Sequence, residues 1–206
     1  MDIKLYYTHN TRSLRPRWLL EEMQLPYQLQ LIDLFGGEAN KPEYLRINPH
    51  GAVPAAEIDG QVMLESGAIC QWLTDSFPDK GMAPAHGSPE RMRYEQWMYY
   101  TFGTLELPIW MVFLHSMIVP EEQRVPDIIA WANERNQPIL ERLDAELKNC
   151  EYLLGEQFTS ADIMVGSTLL WQSEAVKSFP ALQGYCERLQ ARPAYQRATT
   201  DPSPNA

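Results

Sequence analysis

The chain has 206 residues, 45% of them hydrophobic and 21% charged, enough for one large domain or two small ones with a sizeable core. Its formal net charge of −10 argues against a nucleic-acid partner, which needs a basic face, and no unbroken apolar run reaches the ~20 residues of a membrane span. Three widely spaced cysteines, Cys70, Cys150 and Cys186, form no CxxC and no disulfide frame, and the four histidines show no ligand spacing. Met1-Asp2-Ile3-Lys4 runs straight into a strand without a signal-peptide pattern. These features predict a cytoplasmic protein in a reducing compartment, with no metal, nucleic-acid or membrane partner.

In chain order, Ile3 to Tyr7 reads as a short apolar strand and Thr8 to Ser13 as a polar turn. Leu14 to Met23 is a predicted helix with Trp18, Leu19 and Leu20 inward, and Pro16 fits only in its first turn. Gln28 to Leu34 alternates as a second strand, and residues 35–46 form a polar connection. Asn48-Pro49-His50-Gly51 is turn chemistry, and Val53-Pro54 puts a proline at the head of an apolar strand, Ala55 to Ile58. Asp59-Gly60 is a two-residue hairpin signal closing that strand on Gln61 to Leu64. Glu65-Ser66-Gly67 then starts a helix, with Ser66 as the expected N-cap and Ile69, Trp72 and Leu73 on one apolar face.

Residues 77–87 hold two prolines and two glycines without periodicity and read as a linker. Ser88-Pro89-Glu90 is a strong helix start, and everything after it is predicted helical. One segment runs from Pro89 towards Met117, interrupted near Gly103 and Pro108; another runs from about Val125 to Asn149, with Pro138 as a kink. Thr159 to Asp162 has capping-box spacing ahead of an apolar run, which assigns Asp162 a structural role. Phe179-Pro180 opens the last helix, Arg192-Pro193-Ala194-Tyr195 closes the fold, and 201–206 is a polar tail.

The stretch from Asn48 to Leu73 suggests a ligand. The residue before an edge proline keeps N–H and C=O groups that an extended peptide can pair with. A serine at a helix start is a ready carboxylate site, and Glu65 beside it can hold an ammonium group. Together these suit the two ends of a γ-glutamyl peptide, although an ordinary ββα unit with a capped helix has the same pattern.

This stretch resembles the glutathione-site half of the glutathione S-transferase family: NP-x-G-x-VP, a short hairpin, then ES-x-AI with an aromatic-Leu pair. The Thr159–Asp162 box and the closing Arg-Pro-Ala-Tyr are also similar to the family's, so the resemblance spans nearly the whole chain. It implies an α/β plus all-α fold: a thioredoxin-like βαβ-ββα domain at 1–78, a linker at 79–87, an all-helical domain at 88–200 and a tail at 201–206. It also implies the activity, attack of the glutathione thiolate on a hydrophobic electrophile, with glutathione as co-substrate and a homodimeric assembly.

For the thiolate donor, relatives with a catalytic serine place it about four residues before an arginine on the first helix. Counting back from Arg15 gives Thr11, with Ser13 as runner-up and Asn10 as a possible amide donor; either hydroxyl could equally be a mere N-cap. The resemblance assigns Val53 and Pro54 to the cysteinyl unit and Glu65 and Ser66 to the γ-glutamyl end. Ala52 stands where many relatives carry Lys or Gln, which leaves His50, Lys41 or an arginine for the glycyl carboxylate. Tyr99, Phe102, Trp110 and Met111, on an aromatic and Met-rich helix, are expected to line the electrophile's pocket. Alternatives are a glutathione-dependent disulfide-bond reductase or isomerase on the same fold, or a non-catalytic ligand-binding member.

Overall fold

In the computed structural model, which describes residues 1–200, β1 (Ile3–Tyr7) is an interior strand of a four-stranded mixed sheet of order β2-β1-β3-β4. It runs parallel to β2 (Gln28–Leu31) and antiparallel to β3 (Ala55–Ile58), which pairs antiparallel with β4 (Gln61–Leu64). A parallel pair needs a crossover, and α1 (Leu14–Met23) supplies it. Asp59 and Gly60 take φ of +47° and +80°, as a two-residue hairpin turn of this twist requires. β2 stops at Leu31, earlier than its alternation suggests. Asp33 folds the chain there: its Oδ1 accepts from Gly36 N and its own N–H donates to Glu38 Oε2, both at 2.7 Å. A short α2 (Pro42–Leu45) follows, and α3 (Ser66–Ser76) packs beside α1, burying Trp18, Leu19, Leu20, Ile69 and Leu73.

The contacts divide the chain into two units, Met1–Ala83 together with the segment from Gln190 onward, and Pro84–Leu189. The division falls inside the predicted linker. The helix at Pro193–Thr199, which follows the one predicted to be last, departs from the expected 88–200 domain, for it belongs with the first unit. Trp18 packs edge-on against Tyr195, Arg17 Nη2 donates to the Thr200 carbonyl at 2.7 Å, and Glu22 and Glu21 pair with Arg192 and Arg197. The predicted tail, 201–206, lies outside the described residues.

In the second unit, α4 (Pro89–Tyr100) begins as expected, with the Ser88 hydroxyl accepting from Arg91 N at 3.2 Å. It continues through a π-helical turn at Thr101–Leu105 into α5 (Glu106–Phe113) and ends in a second π turn at Leu114–Ile118. Pro108 has no N–H for the carbonyl of residue 104, and the π turn just before it absorbs that mismatch without breaking the helix. The whole 30-residue helix is long and apolar enough, by length and composition, to cross a bilayer. Gly103, Thr104 and Pro108 interrupt its apolar run, which is why the sequence shows no such span. Its Tyr94, Trp97, Met98 and Leu105 are buried in the second unit, whereas only 22% of its apolar 18-residue window is.

α6 (Pro126–Leu147) carries Pro138 within it. α7 (Ser160–Leu170) is buried on every face from Ser160 to Leu169, and α8 (Ser173–Val176) and α9 (Pro180–Gln190) complete the second unit. α10 (Pro193–Thr199) is the helix that returns to the first. Asp162, in the capping box of α7, is fully buried and accepts four hydrogen bonds. Oδ1 takes Leu153 N and the Tyr185 hydroxyl; Oδ2 takes the N–H and hydroxyl of Thr159. Burial still pushes its carboxyl up to about 6, outweighing those four donors.

Asp162→Ala strands four buried donors. The expected loss is at least about 3 kcal/mol, at ~1–3 kcal/mol per unsatisfied group, or a fall in Tm of roughly 6–12 °C by calorimetry. A change below about 1 kcal/mol would remove the box from the fold's essential interactions.

Candidate active site

The turn between β1 and α1 is built from hydroxyls. Ser13 Oγ accepts from Thr8 N at 3.1 Å and lies 2.9 Å from the Thr8 carbonyl oxygen. Thr11 Oγ1 donates to the same carbonyl at 2.8 Å, touches Ser13 Oγ at 2.7 Å and accepts from Ser13 N at 3.2 Å. The two candidate donors differ in access: Ser13 is 0% exposed, whereas Thr11 is half-buried. Ser13 occupies the N-cap position of α1, yet its side chain bonds back to Thr8 and makes no capping bond to the helix. Asn10 is exposed and takes φ +54°, a left-handed turn residue. The tyrosine hydroxyls of the strand are engaged, Tyr6 with Glu57 and Tyr7 with His9.

The helix starts α1 and α3 are tied together by Arg15. It is completely buried, and its Nη1 donates to Ser66 Oγ at 3.2 Å. A buried guanidinium is tolerated only when hydrogen-bonded, and the Ser66 hydroxyl is one of the groups that satisfy it. The nearby Cys70 thiol is pushed up to about 12 by burial, with the Arg15 charge a smaller opposing influence, so Cys70 stays a neutral core side chain. In the sequence Arg15 served only as a landmark. Its role could have been suspected from a cation in an otherwise apolar helix face.

Ser66 is not the cap of α3, as the sequence suggested, but its first helical residue. The cap is Glu65, with φ +69° and ψ +113°. Left-handed φ in a non-glycine residue costs about 1–3 kcal/mol and persists where the surroundings enforce it, often at binding sites. Glu65 is exposed, Ser66 is buried, and the N–H groups of the first turn of α3 lie beside both.

The approach to Val53 is held from one side. The Ala52 carbonyl accepts from the Tyr44 hydroxyl and from Asn48 Nδ2, both at 2.7 Å. Gly51 turns the chain with φ +59°, where a Cβ would come within 3.0 Å of Asn40 Oδ1. Val53 stands just outside the β3 ladder, and the Val53–Pro54 peptide is cis. His50 and Lys41 are exposed, and His50 is anchored through its backbone N–H to Asn48 Oδ1. Tyr99 and Phe102 lie exposed on the Pro89–Ile118 helix, while Trp110 and Met111 are half-buried. Among the described residues no three His, Cys, Asp or Glu side chains converge as metal ligands.

A thioredoxin-like sheet without a redox cysteine pair, followed by an all-helical unit, defines a glutathione-transferase-type fold. The glutathione S-transferase N-terminal domain pattern matches residues 11–76, and the C-terminal domain pattern matches residues 108–193. This chain belongs to the glutathione S-transferase family. Glutathione S-transferase 3 of Schizosaccharomyces pombe is 30% identical over 170 residues, 78% of this chain and 70% of that protein. The disulfide-bond oxidoreductase YfcG of Escherichia coli is 29% identical over 206 residues, 95% of this chain and 94% of that protein. A sphingomonad glutathione S-transferase complexed with glutathione superposes with a TM-score of 0.83 at 27% identity, covering 95% of this chain and 96% of that one.

If the backbone at Glu65 is held in strain by its surroundings, glycine relieves it. Glu65→Gly should leave stability unchanged or raise it by up to about 1 kcal/mol in denaturant unfolding, where the same change at an ordinary helical φ costs about 0.5–1 kcal/mol. A loss larger than that would mean the exposed Glu65 side chain supports the fold.

Proposed function

We propose that this protein binds glutathione in its first unit and joins the whole tripeptide, through its sulfur, to a hydrophobic electrophile. The observation that carries the proposal is the Thr11 hydroxyl, half-buried at the N-terminal approach to α1, the helix whose Arg15 donates to Ser66 beside the strained Glu65. Val53 would pair its backbone with the cysteinyl unit beside Pro54. Ser66 and the N-terminal N–H groups of α3 would hold the γ-glutamyl carboxylate, and Glu65 its ammonium group. His50, exposed on its turn, is the residue assigned to the glycyl carboxylate. In this scheme Thr11 donates to the sulfur. A free thiol with pKa ~8.5 is only a few per cent ionised at neutral pH. One charge-assisted hydrogen bond, worth ~1.5–3 kcal/mol, lowers that by roughly one to two units. The thiol proton leaves to solvent, and the thiolate forms a C–S bond while the electrophile's leaving group departs with its electron pair.

Tyr99, Phe102, Trp110 and Met111 would contribute an apolar surface for the electrophile. The same helix offers exposed Phe113, Met117 and Ile118, and α6 adds Trp131. We assign this excess apolar area to a homodimer, and sedimentation should give twice the chain mass at micromolar concentration; a monomer there would refute it. The likeness to YfcG supports a second reading, glutathione-dependent reduction of a disulfide, in which two glutathiones become one glutathione disulfide and the substrate two thiols. Parallel assays with a chlorodinitrobenzene and with a small mixed disulfide separate the two.

Thr11→Ala should lower turnover with the model electrophile by roughly ten- to hundredfold at neutral pH, with glutathione affinity nearly unchanged by calorimetry. Thr11→Ser should retain most activity and Thr11→Val should not. Ser66→Ala and Glu65→Ala should instead weaken glutathione binding at least several-fold. A silent Thr11→Ala variant would take the thiolate away from this hydroxyl.

A further inference from the structure

The turn holds a second hydroxyl that no ligand can reach. Ser13 Oγ is completely buried, 2.7 Å from Thr11 Oγ1 and 2.9 Å from the Thr8 carbonyl oxygen, with Thr8 N donating to it at 3.1 Å. We propose that Ser13 is a positioning residue that sets the direction of the Thr11 proton, completing a one-way chain from Thr8 N–H through Ser13 O–H and Thr11 O–H to the glutathione sulfur. The inference rests on the reading of Thr11 as the thiolate donor.

Counting protons gives the reason. Two hydroxyl oxygens 2.7 Å apart need a proton between them, or their lone pairs repel. Each hydroxyl has one proton, and the Thr8 carbonyl lies within reach of both. While Thr11 donates to that carbonyl, the proton between the oxygens belongs to Ser13. When a thiolate draws the Thr11 proton outward, only the Ser13 proton can still fill the short contact. Thr11 Oγ1 then accepts from both Ser13 Oγ and Ser13 N, and Ser13 Oγ accepts from Thr8 N. Every donor in the row points towards the sulfur, and each bond polarises the next. The Thr8 carbonyl loses its hydroxyl donor in that state. The bond gained is to an anion and is roughly twice as strong as the neutral bond given up. No proton passes along the chain: the hydroxyls rotate, and the thiol's own proton goes to solvent.

The test is titration of the thiol of reduced glutathione on the saturated protein, followed by ultraviolet thiolate absorbance, together with the pH profile of kcat/KM. Ser13→Ala should raise the bound thiol's pKa by about half a unit to one unit, a roughly three- to tenfold loss of thiolate below the pKa, with the rate recovering at higher pH and Kd for glutathione unchanged. In a Thr11→Ala background the same change should shift the pKa no further, because Ser13 acts only through Thr11. The relay is overturned if Thr11→Ala raises the pKa and Ser13→Ala does not, or if Ser13→Ala shifts it equally in both backgrounds. A merely structural Ser13 would lower Tm or glutathione affinity and leave the pKa in place. If Thr11→Ala leaves the pKa unchanged, the donor assignment itself fails and the relay with it. Should Ser13→Ala not fold, Ser13→Cys, similar in size and a weaker donor, must shift the pKa in the same direction or the relay is refuted.

Discussion

Between them the hydroxyls of Ser13 and Thr11 hold the N–H and the carbonyl of Thr8, and so tie the end of β1 to the start of α1. An interior strand that must turn at once into a crossover helix leaves backbone polar groups at the join, and buried groups of that kind need partners. Thr11 comes to lie half-buried on the rim, and Arg15, entirely enclosed, reaches the start of α3. The buried guanidinium then links the two helix starts through its hydrogen bond to Ser66. The parts assigned to sulfur and to carboxylate chemistry thus share one support, well suited to a small ligand that must be gripped at its end and presented at its middle.

The second unit uses the same device with the opposite sign. Asp162 is a buried anion with four donors, where Arg15 is a buried cation with an acceptor. Four acceptor sites on one carboxylate connect the segment before α7, its first turn and Tyr185 on α9. Burial raises the Tyr185 hydroxyl well above its ordinary value, so it remains a donor, and burial likewise holds the Asp162 carboxyl near 6. α7 is buried on every face, and one of them is marked by Gly166, where a Cβ would collide with the Leu189 side chain. The satisfied polar network at its start adds a second constraint on its rotation.

Much of this was legible in the chain because short-range chemistry dictates it. Asp59-Gly60, Ser88-Pro89 and Thr159 to Asp162 each specify a turn or a helix start within four residues, and each behaves as its residues require. The misjudged places are those decided by partners distant in sequence. Ser66 looked like a cap because serine usually is one, but Arg15, fifty-one positions away, claims its hydroxyl and leaves Glu65 as the strained residue before the helix. The segment at Pro193–Thr199 looked like the close of the helical domain because it follows helices. Its partners are Trp18, Glu21 and Glu22 on α1, which no local pattern reveals. The early end of β2 is a local exception, a turn at Asp33 whose side chain takes the N–H of Gly36 three residues on.

The choice between Thr11 and Ser13 was open in the sequence for a physical reason: both are short hydroxyl side chains at a helix start, and spacing alone does not say which is covered. Burial separates them: Ser13 is enclosed and Thr11 half-buried. A β-branched residue at the rim suits the exposed role. Threonine has few side-chain rotamers to lose, and a hydroxyl already fixed by Ser13 N and Ser13 Oγ needs little further ordering when a ligand arrives. Serine suits the enclosed role, because Ser13 is completely buried and a smaller side chain leaves its oxygen room to touch Thr8 N, Thr8 O and Thr11 together. A tyrosine on the strand could not substitute for this pair, since the hydroxyls of Tyr6 and Tyr7 are drawn to Glu57 and His9. The turn is therefore better described as two unlike hydroxyls on one carbonyl than as a single catalytic residue with a neighbour.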